Sequence, residues 1–124
     1  MYSLESAIAE KLEAIVSLGT FSSRLKDYFD VWYLINNHDL NKGRLRKAIL
    51  TTFEKRSTPI EDFRYIFSTD FKSNENKSRQ WKAFLNRSSI QTDYSFGEVV
   101  SEMETLVKSL FDQYIGGRTG ADSA

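Results

Sequence analysis

The sequence predicts an all-α fold, a compact bundle of about five to six helices. Three observations predict it: apolar residues recur at helical spacing, capping residues precede several of these segments, and polar loops separate them. Nine Phe, six Tyr and two Trp among 124 residues supply bulky side chains for a core. We therefore expect one helical domain over residues 1–115 and a flexible, glycine-bearing tail at 116–124.

Two helices are predicted at the start of the chain. The first runs over about residues 4–17, with Ser3 placed to accept hydrogen bonds at its start and Gly19 just beyond its end. The second begins near residues 22–23 and is almost wholly apolar. We expect it to end before residues 36–39, whose sequence Asn-Asn-His-Asp is typical of turns.

The middle of the chain predicts a third helix, a short element and a linker. Asn41 is placed to cap the third helix, which has an apolar i,i+4 series and should pack on the first two. The series is Leu45, Ile49 and Phe53. Pro59 cannot lie inside a helix, so it should open a short element through residues 60–67. Residues 70–76 are expected to form a polar linker.

The last third of the chain predicts two further helices. One covers about residues 77–86, where Trp81 has a spacing that favours a core role over stacking on a base. Ser95 and Glu98 then have the spacing of a capping box. The apolar residues from 99 to 114 mark the longest amphipathic helix, which ends at Gly116-Gly117.

The candidate functional residues are charged groups set inside apolar helical stripes. Lys11 falls near the middle of the apolar arc of the first helix, so it points where a core residue would point. Asp27 and Asp30 share one side of the second helix, which has hardly any polar face and should be buried. A buried carboxylate needs a cation, hydrogen-bond donors or a metal-bound ligand, and Lys11 is the obvious cation.

A structural explanation of these charges remains open at this point. A Lys–Asp pair between packed helices is a common structural solution, and perturbed charges also occur in purely structural networks. From the residues alone, the structural explanation is favoured over a functional one.

These charged segments resemble the later half of the AbiEii-type nucleotidyltransferase toxin family of bacterial abortive-infection and toxin–antitoxin systems. The resemblance covers most of the chain up to about Tyr114. Its leading motifs are Ala9-Glu10-Lys11-Leu12 within residues 2–15 and Lys26-Asp27-Tyr28-Phe29-Asp30 within residues 23–34. It continues with Ala48-Ile49, Thr52-Phe53, Arg56, Trp81 and Phe84.

The resemblance implies a role for each charged residue. Family members join an amino-terminal nucleotidyltransferase core to a helical region, so this chain would be the carboxy-terminal helical domain. Lys11, Asp27 and Asp30 would be catalytic, with Lys11 on the nucleotide phosphate and the aspartates orienting it or neighbouring groups. Arg24 and Lys26 would be further nucleotide-binding residues. The implied reaction transfers a nucleoside monophosphate, or a short run of nucleotides, to an acceptor such as tRNA or protein.

The chain departs from the family in the parts that hold metal. Metal-dependent nucleotidyl transfer needs a Gly-Ser turn for phosphate and paired carboxylates on a strand for Mg²⁺. This sequence has no Gly-Ser dipeptide, and Glu102 and Glu104 lie in a predicted helix that points them apart. We expect no metal ligand here and no activity from this chain alone, with Mg²⁺ and nucleoside triphosphate as cofactors of the complete enzyme.

Charge and composition limit the partners. Seventeen basic and seventeen acidic residues give a net charge of zero, which argues against indiscriminate nucleic-acid binding. Residues 42–56 and 72–87 are nevertheless basic and suit an RNA acceptor, although ordinary solvated helix faces look the same. No cysteine, membrane-length apolar run or secretory signal is present, so we expect a cytoplasmic protein without membrane contact.

A second function class stays open beside the enzyme. The chain would then be a non-catalytic helical interaction module that binds an antitoxin or another protein, and the lysine and aspartates would serve structural specificity only.

Overall fold

The computed structural model describes residues 3–19 and 25–111, and these ranges contain helices and no strand. The helices are α1 Leu4–Leu18, α2 Leu25–Asn37, α3 Lys42–Lys55, α4 Phe63–Ile66, α5 Thr69–Lys72, α6 Glu75–Arg87 and α7 Phe96–Phe111. A 3₁₀ turn at Ile60–Asp62 precedes α4, as the proline before it predicted. Five helices are long and two are single turns, so the predicted all-α bundle is confirmed.

The predicted helix caps are present. The side chains of Ser3 and Asn41 accept backbone amide hydrogen bonds at the starts of α1 and α3. Gly19 ends α1 with a φ of 52°, a left-handed conformation that favours glycine. Ser95 Oγ accepts from the Glu98 amide at 3.1 Å, while Glu98 Oε1 accepts from the Ser95 amide at 2.8 Å. This reciprocal pair is the predicted capping box.

The second helix ends later than predicted. α2 continues through Asn36 and Asn37, which the sequence assigned to a turn. Asn36 Nδ2 donates to the Trp32 carbonyl at 2.9 Å, and Asn37 Nδ2 donates to the Tyr33 carbonyl at 2.8 Å. Asparagine side chains thus bond carbonyl groups of the last turn, where helices need extra donors. The predicted start of this helix, the end of the last helix and the tail lie outside the described residues.

The prediction of a polar linker over residues 70–76 is wrong. Ser68 Oγ accepts from the Phe71 amide at 3.2 Å at the start of α5, which buries Phe71. Asn74 caps α6, which therefore starts two residues before the predicted Lys77. The same polar residue types begin helices and form loops, so single-turn helices with polar caps resemble linkers in a sequence.

The core lies where α1 packs on α2 and α3, and where α7 packs on α2, α3, α5 and α6. The predicted i,i+4 series of α3 is fully buried, and so is Trp81, whose Nε1 donates to the Tyr94 carbonyl at 3.0 Å. Trp81 therefore has the core role that its spacing favoured. Over the described ranges, none of the helices combines the length and apolar character that crossing a membrane requires.

The second helix is buried along one side and not all round. Leu25, Tyr28 and Val31 face the core, whereas Tyr33 keeps 48% of its surface in solvent. The expectation of a fully buried helix is therefore wrong. Aromatic side chains raise the apolar content of α2 on both sides, so its composition alone does not tell which side packs.

Removal of the α7 cap should weaken the fold measurably. We expect Ser95→Ala to lower the free energy of unfolding by about 1 kcal/mol, because the Glu98 amide loses its acceptor. Urea denaturation followed by circular dichroism measures this change. Ser109→Ala is the matched control, since Ser109 is exposed within the same helix and should change stability by less than about 0.5 kcal/mol. Equal losses in both variants would contradict the capping role.

Candidate functional site

Two lysines and two aspartates meet where α1 packs on α2. Lys11 Nζ lies 3.4 Å from Asp27 Oδ1 and 3.2 Å from Asp30 Oδ2. Lys26 Nζ lies 2.8 Å from the same Asp30 oxygen. We call Lys11, Lys26, Asp27 and Asp30 the Lys–Asp cluster. Two ammonium groups and two carboxylates balance in charge, and three of the four residues are those that the sequence singled out as catalytic.

The cluster lies at the rim of the core. Asp27 is buried and Asp30 half-buried, whereas the side chain of Lys11 is 32% exposed and that of Lys26 75% exposed. The sequence therefore predicted the Lys11 side chain to be more deeply buried than it is. A lysine is able to bury its methylene groups and keep its ammonium near water. The result is a cation that the aspartates hold on one side and that solvent reaches.

The lengths of these contacts bear on what Lys11 can do. Charge-assisted N–H···O bonds are usually about 2.7–2.9 Å long, so the contacts of Lys11 at 3.2 and 3.4 Å are loose. An ammonium group carries three N–H donors. Lys11 is therefore able to contact an incoming anion while its ammonium group stays in contact with both aspartates.

Electrostatic effects keep the outer lysine charged. The hydrogen bond to Asp30, together with the charge of that carboxylate, raises the pKa of Lys26 above its ordinary value. Burial, followed by the charges of Tyr65 and Asp27, raises the pKa of the neighbouring Tyr28 as well. Lys26 is therefore an ammonium ion and Tyr28 a neutral phenol at neutral pH.

Arg24, the remaining predicted nucleotide-binding residue, lies outside the described residues. Within the ranges 3–19 and 25–111, no group of three or more His, Cys, Asp or Glu side chains is arranged to hold a metal ion. Glu102 and Glu104 are both in α7, as predicted, and have different partners. Glu102 Oε1 accepts from Trp32 Nε1 at 3.1 Å, whereas Glu104 is paired with lysine side chains.

Sequence reasoning missed a buried carboxylate on α1, the helix that carries Lys11. On a helical wheel Glu13 lies outside the apolar arc of α1, yet it is buried. Thr58 Oγ1 donates to Glu13 Oε2 at 2.6 Å, and Arg56 Nη1 lies 3.5 Å from Glu13 Oε1. Arg56 also lies 3.5 Å from Glu10. These partners are more than forty positions away along the chain, so no local pattern was able to reveal them.

Part of the basic middle segment makes contacts within the fold. Arg56 pairs with α1, and Arg46 Nε donates to the Leu110 carbonyl at 3.1 Å with its guanidinium over Phe111. Arg44 and Lys47 are exposed and line a cavity of about 250 Å³ between α1 and α3. The basic surface of α3 is therefore smaller than the sequence suggested.

One comparison with known proteins identifies a family. The family model described as nucleotidyl transferase AbiEii toxin, Type IV TA system, matches residues 1–111. The matched region includes the whole Lys–Asp cluster and all the described helices. Neither the curated proteins nor the solved structures contain a match to the chain.

Loss of the buried aspartate charge should destabilise the fold. We expect Asp27→Asn to lower the free energy of unfolding by about 1–3 kcal/mol, because the amide no longer offsets the charge of Lys11. Lys26→Met is the control: its i,i+4 pair with Asp30 is exposed and should be worth about 0.3–0.5 kcal/mol. Urea denaturation at neutral pH compares the two. Equal losses would show that the buried position of Asp27 contributes nothing.

The carboxylate of Glu104 in α7 should make the free energy of unfolding depend on pH. Burial by itself would raise the pKa of Glu104, but hydrogen bonds from Lys72 and Lys108 outweigh burial and lower it. The folded pKa is therefore below the ordinary value of 4.5, and the contribution of Glu104 is present above that pH and lost as pH falls through the folded pKa.

Acid titration of stability tests this sign. Between about pH 6 and pH 3, we expect Glu104→Gln to lose less unfolding free energy than the parent chain, because its side chain takes up no proton. Glu61→Gln, in the exposed 3₁₀ turn, is the control and should follow the parent. A Glu104→Gln profile parallel to the parent would refute the assigned ion pairs.

Proposed function

Because the chain belongs to the AbiEii nucleotidyl transferase toxin family, we propose that its Lys–Asp cluster completes a nucleoside-triphosphate site. One observation supports this most strongly: the side chain of Lys11 is 32% exposed to solvent while Asp27 and Asp30 hold its ammonium from α2. A fully buried pair would have no such opening. A lysine on a free surface would have no fixed position.

In this proposal the cluster acts by electrostatic preorganisation. Lys11 offsets negative charge on the triphosphate, and Asp27 and Asp30 fix its ammonium before the nucleotide arrives. Lys26 adds a second positive charge on the outer side of Asp30, and Arg24 is a further phosphate ligand. Charged groups that are already oriented need not reorganise during the reaction, which is where their catalytic benefit arises.

The reaction is the transfer of a nucleoside monophosphate, once or in a short run, to an acceptor such as tRNA or protein. An acceptor oxygen or nitrogen attacks the α-phosphorus, the bond to the β-phosphate oxygen breaks, and pyrophosphate leaves. The acceptor gives up its proton to solvent or a base. The helical chain binds and orients the triphosphate in this step, and an amino-terminal nucleotidyltransferase core supplies the rest of the machinery.

The residues of this chain do not fit a resident Mg²⁺ ion. Mg²⁺ takes an octahedral set of oxygen ligands, whereas Asp27 and Asp30 face the ammonium of Lys11 at 3.4 and 3.2 Å. A cation bound to both carboxylates would repel Lys11 at close range. We therefore assign the Mg²⁺ of the complete enzyme to carboxylates of the amino-terminal core.

Further partners follow from the same proposal. An antitoxin protein is the expected inhibitor of a toxin of this family. The exposed Arg44 and Lys47 on α3 are suited to contact the backbone of an RNA acceptor. Nucleoside triphosphates and RNA acceptors are present in the cytoplasm, where we propose that the protein acts.

The alternative is a non-catalytic module that binds an antitoxin or another protein. One observation favours it: each charge in the Lys–Asp cluster has an opposite charge within 3.5 Å, which is also what a structural cluster requires. The two functions differ in nucleotide binding. If the chain is part of a nucleotidyltransferase, a nucleoside triphosphate should bind at Lys11; if it is an interaction module, no triphosphate should bind there.

Nucleotide transfer tests the proposal directly. With the chain combined with the amino-terminal core, we expect Lys11→Ala, Asp27→Asn and Asp30→Asn each to lower labelled-nucleotide transfer by about 100-fold or more. Lys108→Ala, a partly exposed lysine on α7 outside both basic segments, is the matched control and should retain the parental rate. Circular dichroism establishes that each variant is folded. Unchanged transfer by the three folded variants would remove their assigned roles and favour the interaction module.

A further inference from the structure

We propose that Tyr33 forms a stacking subsite for the base of the nucleotide whose triphosphate the Lys–Asp cluster binds. The inference rests on the proposed function, because it extends the same site along α2. It assigns a ligand chemistry, a planar nucleobase, to a residue that belongs to neither of the two motifs considered above.

Helix geometry puts Tyr33 beside the cluster. Lys26, Asp30 and Tyr33 follow one another at spacings of four and three residues, so they share the outer side of α2. Tyr33 lies about 60° around the helix from Asp30 and about 4.5 Å further along its axis. A ligand whose phosphates contact the two lysines therefore reaches Tyr33 by extending along α2 away from Lys26.

The ring of Tyr33 is accessible to solvent and is held in orientation by its contact with the ring of Phe29. Tyr33 keeps 48% of its surface exposed, and its ring centroid lies 6.0 Å from that of Phe29 with an interplanar angle of 28°. Phe29 in turn packs on Phe84 of α6 at 6.1 Å. The inner aromatic rings thus support the position of the outer one, and the exposed part of Tyr33 remains open to a planar group.

The order of chemical groups along α2 matches the order of groups in a nucleotide. Positive charges lie at Lys11 and Lys26, and an aromatic face follows at Tyr33. A nucleoside triphosphate likewise has its charge at one end and an uncharged aromatic base at the other. Base–aromatic stacking requires no hydrogen-bond pattern, so this subsite adds affinity without selecting strongly among bases.

The other two exposed tyrosines of the described residues lack this relation to the cluster. Tyr94 packs on Trp32 at 5.0 Å, and its hydrogen bond to Glu102 raises its pKa, so its contacts lie toward α7. Tyr65 belongs to α4, and its ring packs against Phe71. Neither shares a helix face with Lys26 and Asp30.

A pair of substitutions at one position separates stacking from simple apolar contact. Tyr33→Phe keeps the aromatic face, whereas Tyr33→Leu keeps apolar volume without it. The probes are Mg·ATP, and inorganic tripolyphosphate with Mg²⁺, which has the charge but no base. Binding to the isotope-labelled 124-residue chain is followed through the amide signals of residues 8–14 and 25–37.

We expect Tyr33→Leu to weaken ATP binding by about tenfold and to leave tripolyphosphate binding unchanged. Tyr33→Phe should bind both probes like the parent chain. The Leu variant overturns the subsite if it binds ATP as well as the parent does. It also overturns the subsite if it loses both probes equally, because Tyr33 would then maintain the structure or contact another protein surface.

The proposed function fails on a different result. If neither probe shifts the signals around Lys11, or if Lys11→Ala binds tripolyphosphate like the parent, the cluster is no phosphate site. If Lys11→Ala loses both probes while Tyr33→Leu loses neither, the phosphate site stands and the stacking subsite is rejected.

Discussion

The contact of one ammonium group with two carboxylates across α1 and α2 is the constraint on which the proposed site depends. Lys11 comes from α1 at the rim of the core, and Asp27 and Asp30 come from successive turns of α2. Removal of a buried carboxylate from water is unfavourable unless a cation compensates it. The pairing therefore links the two helices at the same point where the side chain of Lys11 is partly exposed to solvent.

The remaining helices hold α1 in the position that this pairing needs. Buried Glu13 accepts a hydrogen bond from Thr58 and faces Arg56, so the chain after α3 is tied to the middle of α1. At the other end of α1, Glu5 Oε2 accepts from the Asn41 amide at 3.0 Å, and this hydrogen bond lowers the pKa of Glu5. Two buried carboxylates of α1, Glu5 and Glu13, thus hold it against the two ends of α3. Lys11, on the same helix, contacts the aspartates of α2.

The exposed side of α2 gives the structure its functional interest. A helix that needed only to fill the core would place its aromatic residues inward, as Tyr28 does on Phe96 and Phe71. α2 instead carries a second aromatic group, Phe29 and Tyr33, on the side that also carries Lys26 and Asp30. Charge and aromatic surface lie together there, and both are accessible.

The sequence by itself determined the features that depend on neighbours within one helix. The caps at Ser3, Asn41 and Ser95 and the buried i,i+4 series of α3 were predicted because helical geometry sets which residues three and four apart meet. The joint position of Lys11, Asp27 and Asp30 was also predicted, since Lys11 lies in the apolar stripe of the first helix and the two aspartates share one side of the second.

Tertiary structure alone decided which side of each helix is covered and which distant groups pair. Glu13 is buried against Arg56 and Thr58, and Tyr33 stays 48% exposed on a helix that packs on α1, α6 and α7. The burial of Glu13 and the exposure of Tyr33 both depend on how helices that are distant in the sequence pack on each other, and on the register of that packing. Side-chain periodicity describes one helix at a time and contains no information about that register.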